Sequence, residues 1–210
     1  MTAHWLLLFS VALAPVLFAG QAQSLVAQGN AAWRAKQHEE AILLYQKAVV
    51  LRPKSAEAAY NLGTALYRLY DYARALDEFE HAARLARKGR VAALARHNAG
   101  NCAFQQSLTL VRSDARGALK LMEHALESFL DAVRLDAGLA DAAHNAEVAR
   151  KWLKLLEQQA AQSQNQAEAD GKPEFGDGPG SSAQDILGLE RMSRFSGNAK
   201  GRIPAVDKDW

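Results

Sequence analysis

Apolar and polar positions divide the chain into three stretches. An apolar run fills residues 5–19. A long middle stretch mixes small, aromatic and charged residues at helical spacing, and from about residue 163 the chain is polar and glycine-rich. The middle stretch repeats itself. Gly29, Ala41, Tyr45 and Ala48 recur as Gly63, Ala75, Phe79 and Ala82, each displaced by 34 positions, with the last three at 12, 16 and 19 from the glycine. A fixed period of this length predicts stacked helical units, each burying a face that it cannot bury alone.

A third unit is stretched. The segment from Ala95 to Gly100 parallels that from Ala58 to Gly63, and the second-helix signature returns as Ala125, Phe129 and Ala132. Between Gly100 and Ala125 lie 25 positions instead of 12, an insertion of 13 covering residues 108–120. Ser113 and Asp114 supply a helix N-cap inside it, so lengthened helices around a modified turn are expected. A further first helix runs from Ala140 to Leu156, has no partner and turns polar at Glu157, as befits the helix that closes a stack.

The ends read differently. The run at 5–19 is short for a bilayer span and suits a signal-peptide core, with small residues after it and a cleavage position after Ala22. Its first four residues contain no Lys or Arg, so the alternative is a short N-terminal anchor. Either reading exports the body. Residues 163–210 read as a disordered tail, too polar to offset ordering entropy. A short helix over 183–193 is expected there, with Ile186 and Leu189 on one side, and Trp210 stands on the tail as an apolar group that calls for burial.

Composition sharpens the picture. The chain holds 42 alanines in 210 residues, and only 8% of residues are aromatic, which argues against an all-β fold. The net charge of +2, without long runs of one sign, gives no electrostatic case for nucleic acid. One cysteine, Cys102, excludes an internal disulfide and multi-cysteine metal sites, and it reads as a buried structural residue. No pair of histidines at i,i+4, no phosphate-binding glycine loop and no nucleophile elbow is present. The chain is therefore expected to have no catalytic activity and to need no cofactor or metal.

The repeat resembles the tetratricopeptide repeat (TPR), in which small residues sit where two antiparallel helices touch, an aromatic fills the gap beside them, and a proline such as Pro53 ends the second helix. The resemblance implies an all-α, TPR-type helical-hairpin solenoid of about three repeats plus a closing helix over residues 24–162. It also implies a concave partner-binding groove lined by the first helices. Its residues would be Val26, Asn30, Trp33 and Arg34 in the first unit, Tyr60, Thr64, Tyr67 and Arg68 in the second, and His97, Asn101, Phe104 and Gln105 in the third. Some of these aromatics read equally well as packing between repeats. In chaperone-binding TPRs a Lys-Asn-Asn-Lys-Arg clamp holds a terminal carboxylate; here those positions read Val26, Asn30, Asn61, Leu94 and Asn98, without a cation. An extended segment gripped by asparagines and aromatics is expected instead, because Asn61, Asn98 and Asn145 share one offset in successive first helices.

The export signal, the short stack, the asparagine in the last first-helix and the terminal Asp-Lys-Asp-Trp resemble the TPR component of the aerotolerance-operon (Bat-type) envelope proteins. That likeness implies a periplasmic scaffold working with von Willebrand factor A-type membrane proteins and a MoxR-type ATPase, membrane-bound only through a partner or an uncleaved N-terminus. Two alternatives stand beside it: an accessory or assembly factor of a periplasmic redox or methanol-oxidation enzyme, and self-association through capture of the Trp210 tail.

Overall fold

The computed structural model describes residues 20–169, with side chains through residue 162; the apolar run at 5–19, the expected helix over 183–193 and the tail residues Ile186, Leu189 and Trp210 lie outside the described residues. Among the described residues every regular element is a helix, as the repeat predicts. They are α1 over 20–34, α2 (His38–Leu51), α3 (Ala56–Arg68), α4 (Tyr72–Ala86), α5 (Gly89–Leu110), α6 (Ala115–Leu135) and α7 (Ala140–Ala169). The chain divides into two compact units between Ala92 and Ala93, at the end of the first turn of α5.

In the first unit α1 pairs with α2 and α3 with α4, and both pairs close by the same turn chemistry. The amides of Lys36 and Gln37 donate to the carbonyls of Trp33 and Ala32; those of Tyr70 and Asp71 donate to Tyr67 and Leu66, all at 3.0 Å. This is the Schellman arrangement that satisfies the last carbonyls of a helix, and it places one residue in the left-handed region. Here that residue is Lys36 (φ 63°) and, 34 positions on, Tyr70 (φ 64°), where glycine or asparagine would sit without strain. Lys36→Gly should therefore raise stability by about 0.5–1 kcal/mol in chemical denaturation. In Tyr70→Gly the same gain is offset by losing the edge contact of Tyr70 with Tyr72 (6.1 Å between centroids).

Close approach explains the glycines. A Cβ on Gly29 would lie 2.6 Å from the Tyr45 ring, and one on Gly63 would lie 3.0 Å from the Phe79 ring. The aromatic thus occupies the space that a side chain on the facing helix would need. The flanking alanines 41, 48, 75 and 82 are fully buried in the same contacts. Side-chain caps start α3 and α4: Ser55 accepts from the amide of Ala58, and Asp71 from that of Arg74.

In the second unit α5 and α6 form the stretched hairpin, and α7 packs on α6. A Cβ on Gly100 would meet the Phe129 ring at 2.6 Å, so the pair 29 positions apart in sequence makes the contact that Gly29–Tyr45 makes at 16. Relative to the α3–α4 hairpin, the first arm after the glycine is longer by five residues, the second arm before the aromatic by seven and the turn by one, which accounts for the 13 inserted positions. Asp114 caps α6, accepting from the amide of Gly117 at 2.9 Å, as the sequence predicts. The added length is zipped by small residues: Ser107 and Ala118 are fully buried, and the Ser107 hydroxyl donates to the Ala118 carbonyl at 2.7 Å.

Two boundaries move. α7 runs to Ala169, seven residues into the stretch read as tail from 163, because its Gln, Ala and Glu residues are good helix formers despite their polarity. At the other end, residues 20–22 already belong to α1 and Ala22 is buried, although the sequence reading assigns them to the leader.

Candidate functional site

The residues expected to bind a partner sit on α1, α3 and α5, and the two units present them in different ways. In the first unit the ends of α1 and α3 come together. The Arg68 guanidinium lies 5.9 Å from the centre of the Trp33 ring, whose other neighbour is the His38 ring at 4.3 Å. A cation over an indole face at a surface contributes about 0.5–1 kcal/mol and holds both groups in place. Tyr67, half-buried, packs edge-on against Tyr72 at 5.2 Å, and Arg34 and Arg68 are exposed. This is a water-facing strip of aromatic rings and guanidinium groups.

Other predicted residues turn inward. Tyr60 is 2% exposed and meets the Phe79 ring at 5.4 Å, so it belongs to the packing of the hairpin. The Thr64 hydroxyl donates to the Tyr60 carbonyl within its own helix. Asn30 accepts a 2.7 Å hydrogen bond from the Tyr45 hydroxyl, whose pKa burial raises to about 12 against the opposing pull of Arg34. Val26 is buried, and Asn61 is buried with its Nδ2 lacking a hydrogen-bond partner.

In the second unit the amides meet. Asn145 Nδ2 on α7 donates to Asn101 Oδ1 on α5 at 3.0 Å, and Asn98 is buried one turn before Asn101. The bond leaves the Asn101 NH2 and the Asn145 carbonyl oxygen as a neighbouring donor and acceptor, the complement of a peptide group. Phe104 is buried edge-on to Trp152 at 6.1 Å, and Gln105 is half-buried.

His97 packs against Phe129 with ring centres 5.7 Å apart, and its Nδ1 is buried without a hydrogen-bond partner. Desolvation lowers its pKa to about 4, partly opposed by Asp141. The imidazole is thus neutral in the folded chain and takes up a proton near pH 6.5 when unfolded. Its contribution is present above the unfolded value and lost as pH falls towards 4. The fall should amount to about 1 kcal/mol between pH 6.5 and 5.5, and His97→Gln should flatten that slope in denaturant titrations.

Cys102 is fully buried and burial pushes its thiol pKa well up, as a structural residue requires. Among the described residues no cluster of His, Cys, Asp and Glu could hold a metal ion, and no helix is long and apolar enough to cross a membrane. Spacing in the sequence gives no sign of His38, whose ring packs against Trp33 with the two planes tilted by 50°. Sequence reasoning also passed over Tyr70 and Tyr72, although Tyr67, Tyr70 and Tyr72 crowd one turn of the sequence and were there to be seen.

Comparison with known proteins agrees with this architecture. Residues 29–69 match a family model described as TPR repeat. The first TPR domain of human RPAP3 is 21% identical, with 67% of this chain and 98% of that one covered and a TM-score of 0.53. The first TPR of Spaghetti (RPAP3), described as bound to the HSP90 peptide SRMEEVD, is 21% identical over 65% of this chain and 95% of that one, with a TM-score of 0.53. An Arabidopsis OM64 TPR domain is 20% identical over 64% and 98%, with a TM-score of 0.51. No curated protein matches the chain. The all-α fold is thus of the TPR helical-hairpin class, and residues 29–69 match the TPR repeat itself.

Proposed function

We propose that this protein is a non-catalytic adaptor that captures an extended segment of a protein partner and works, after export, at the bacterial cell envelope. The observation that carries the capture is the Asn145–Asn101 hydrogen bond at 3.0 Å, which holds two side-chain amides in a fixed relation on two first helices. An amide row of this kind reads the backbone of a bound segment and leaves its side chains to neighbouring aromatics, so it selects an extended conformation before it selects a sequence. Within the first unit, taken by itself, the Trp33–Arg68 pair offers rigid aromatic area with a cationic edge, the composition enriched at binding hot spots. A peptide-bound neighbour with the same fold supports the reading, and the absence of clamp cations directs it away from carboxylate capture.

The partners we propose are von Willebrand factor A-type membrane proteins acting with a MoxR-type ATPase system, in the periplasm or tethered to the inner membrane through residues 5–19. The apolar run and the Bat-type tail resemblance support this placement. Photo-crosslinkers at Trp33 and Tyr67 in the native host, followed by identification of the captured proteins, test it; crosslinks to cytosolic proteins alone would overturn the envelope assignment. For the capture itself, Asn101→Ala with Asn145→Ala should weaken binding of the crosslinked partner about 10- to 30-fold, two neutral hydrogen bonds being removed. Undiminished affinity in a variant with unchanged helicity would sink the amide-row reading.

A further inference from the structure

The charges of the first unit are unevenly placed along its helices. The four helices α1 to α4 alternate in direction, so the start of α1, the turn over 52–55 and the turn over 87–88 lie at one end. That end carries Arg52, Lys54, Arg87, Lys88 and Arg90, all exposed. Among the described residues none of the five has an ion-pair partner, whereas Arg84 nearby is held by Glu80 at 3.4 Å. Against them stands Glu57, half-buried in the first turn of α3. The opposite end mixes Glu39, Glu40 and Asp71 with its cations. Folding accounts for some of the five and not for others. Arg52 and Arg87 are the C-caps of α2 and α4, where positive charge suits the helix dipole. Lys54 precedes Ser55, the N-cap of α3, and Arg90 lies in the first turn of α5, where the same dipole opposes a cation. Unpaired cations at unfavourable helix ends point to an anion outside the chain. A second observation says which: the apolar run at 5–19 stops at the residue before Gly20, the first of α1, and so enters the unit at this basic end.

We propose that this end of the first unit rests on the anionic phospholipid headgroups of the membrane that takes up the run at 5–19. The inference builds on the tethered form of the envelope reading above. The run is shorter than the about 20 residues that span a bilayer, so by itself it holds the chain weakly. Cations close to an anionic surface each add attraction, and an apolar insertion joined to a basic patch is the two-part hold that makes such attachment stable. The attraction acts over about a Debye length, which restricts it to groups at the surface and selects this end over the rest of the unit. Attachment here leaves Trp33 and Tyr67, at the far ends of α1 and α3, turned from the bilayer.

Co-sedimentation of the full chain with lipid vesicles tests it. Binding to vesicles of equal parts phosphatidylglycerol and phosphatidylcholine should exceed binding to pure phosphatidylcholine by at least about 30-fold at low salt. High salt should remove the excess. The combined variant Arg52→Gln, Lys54→Gln, Arg87→Gln, Lys88→Gln and Arg90→Gln should bind the two vesicle types to within about twofold of each other, with helicity unchanged. A control removes the same charge from exposed positions of the second unit: Arg112→Gln, Lys120→Gln, Arg134→Gln, Lys151→Gln and Lys154→Gln should leave most of the preference in place. The proposal is overturned if the unaltered chain shows no preference for phosphatidylglycerol, an outcome that assigns the basic end to an acidic protein segment instead. It is equally overturned if both variants lose the preference to the same extent, because net charge rather than this end would then be responsible. Binding to the neutral vesicles reports the apolar run alone, so the tether and the basic end fail separately.

Discussion

Trp152→Ala should lower the stability of the protein by about 3–5 kcal/mol, a large part of what a domain of this size has. Trp152 is the largest fully buried side chain among the described residues, 1% exposed, on the face of α7 that also carries Ala142, Ala146, Ala149 and Leu156. These positions recur at three and four, so one stripe docks the whole closing helix, and the indole supplies most of its bulk. The ring also meets Phe104 edge-on at 86°, a contact worth about 0.5–1.5 kcal/mol beyond area. Truncation leaves a cavity between helices that cannot collapse without moving α7 off α6. The contrasting variant is Trp152→Phe. Nε1 is buried without a hydrogen-bond partner, so phenylalanine removes an orphaned donor while keeping most of the volume, and the loss should stay below about 1.5 kcal/mol. Denaturant midpoints give both values, and hydrogen exchange should show α7 amides as the first to lose protection in the alanine variant. Equal losses in the two variants would mean that packing volume is not what holds the helix.

Much of this architecture is legible because the contacts that define it are periodic. The six alanines at 41, 48, 75, 82, 125 and 132 are each fully buried, and each was marked by its distance from a glycine or an aromatic. Even the stretched hairpin could be read, since a capping Asp114 in the middle of a helix-compatible run leaves few other places for a turn. The candidate site was less legible, for a physical reason. A period assigns a residue to a face but does not say how wide the packed sector is. α3 lies between two neighbours and has eight of its 13 residues buried, which draws Tyr60 and Asn61 inside, as Val26 and Asn98 are drawn in at the same offsets. Likewise the pairing of Asn101 with Asn145 joins residues 44 apart and needs the relative rotation of α5 and α7. Turn residues escaped for the opposite reason: Tyr70 breaks the local preference of its position, so a reading built on preferences assigns it no role.

Gly100→Val should cost about 3 kcal/mol, at the upper end of the overpacking range, because three atoms of the Phe129 ring lie within 2.6–3.0 Å of the Cβ position. The gain in helix propensity over glycine offsets only a fraction of this. Neither side of the contact can give way easily. Phe129 is 1% exposed, His97 packs against its ring, and Gly100 lies mid-helix between the fully buried Ala99 and Cys102. Phe129→Ala alone should cost about 3–5 kcal/mol by opening the cavity that the ring fills. The informative variant is the double one. If the glycine exists to admit the ring, a valine at 100 partly refills the space vacated at 129, and the double variant should be more stable than the sum of single losses predicts by at least about 1 kcal/mol. Residues this close seldom act independently, so strict additivity would show that Gly100 is retained for backbone reasons instead. The same cycle at Gly63 and Phe79, where the nearest approach is 3.0 Å, should give a smaller coupling. The order of the two couplings then measures how closely the helices of each hairpin approach.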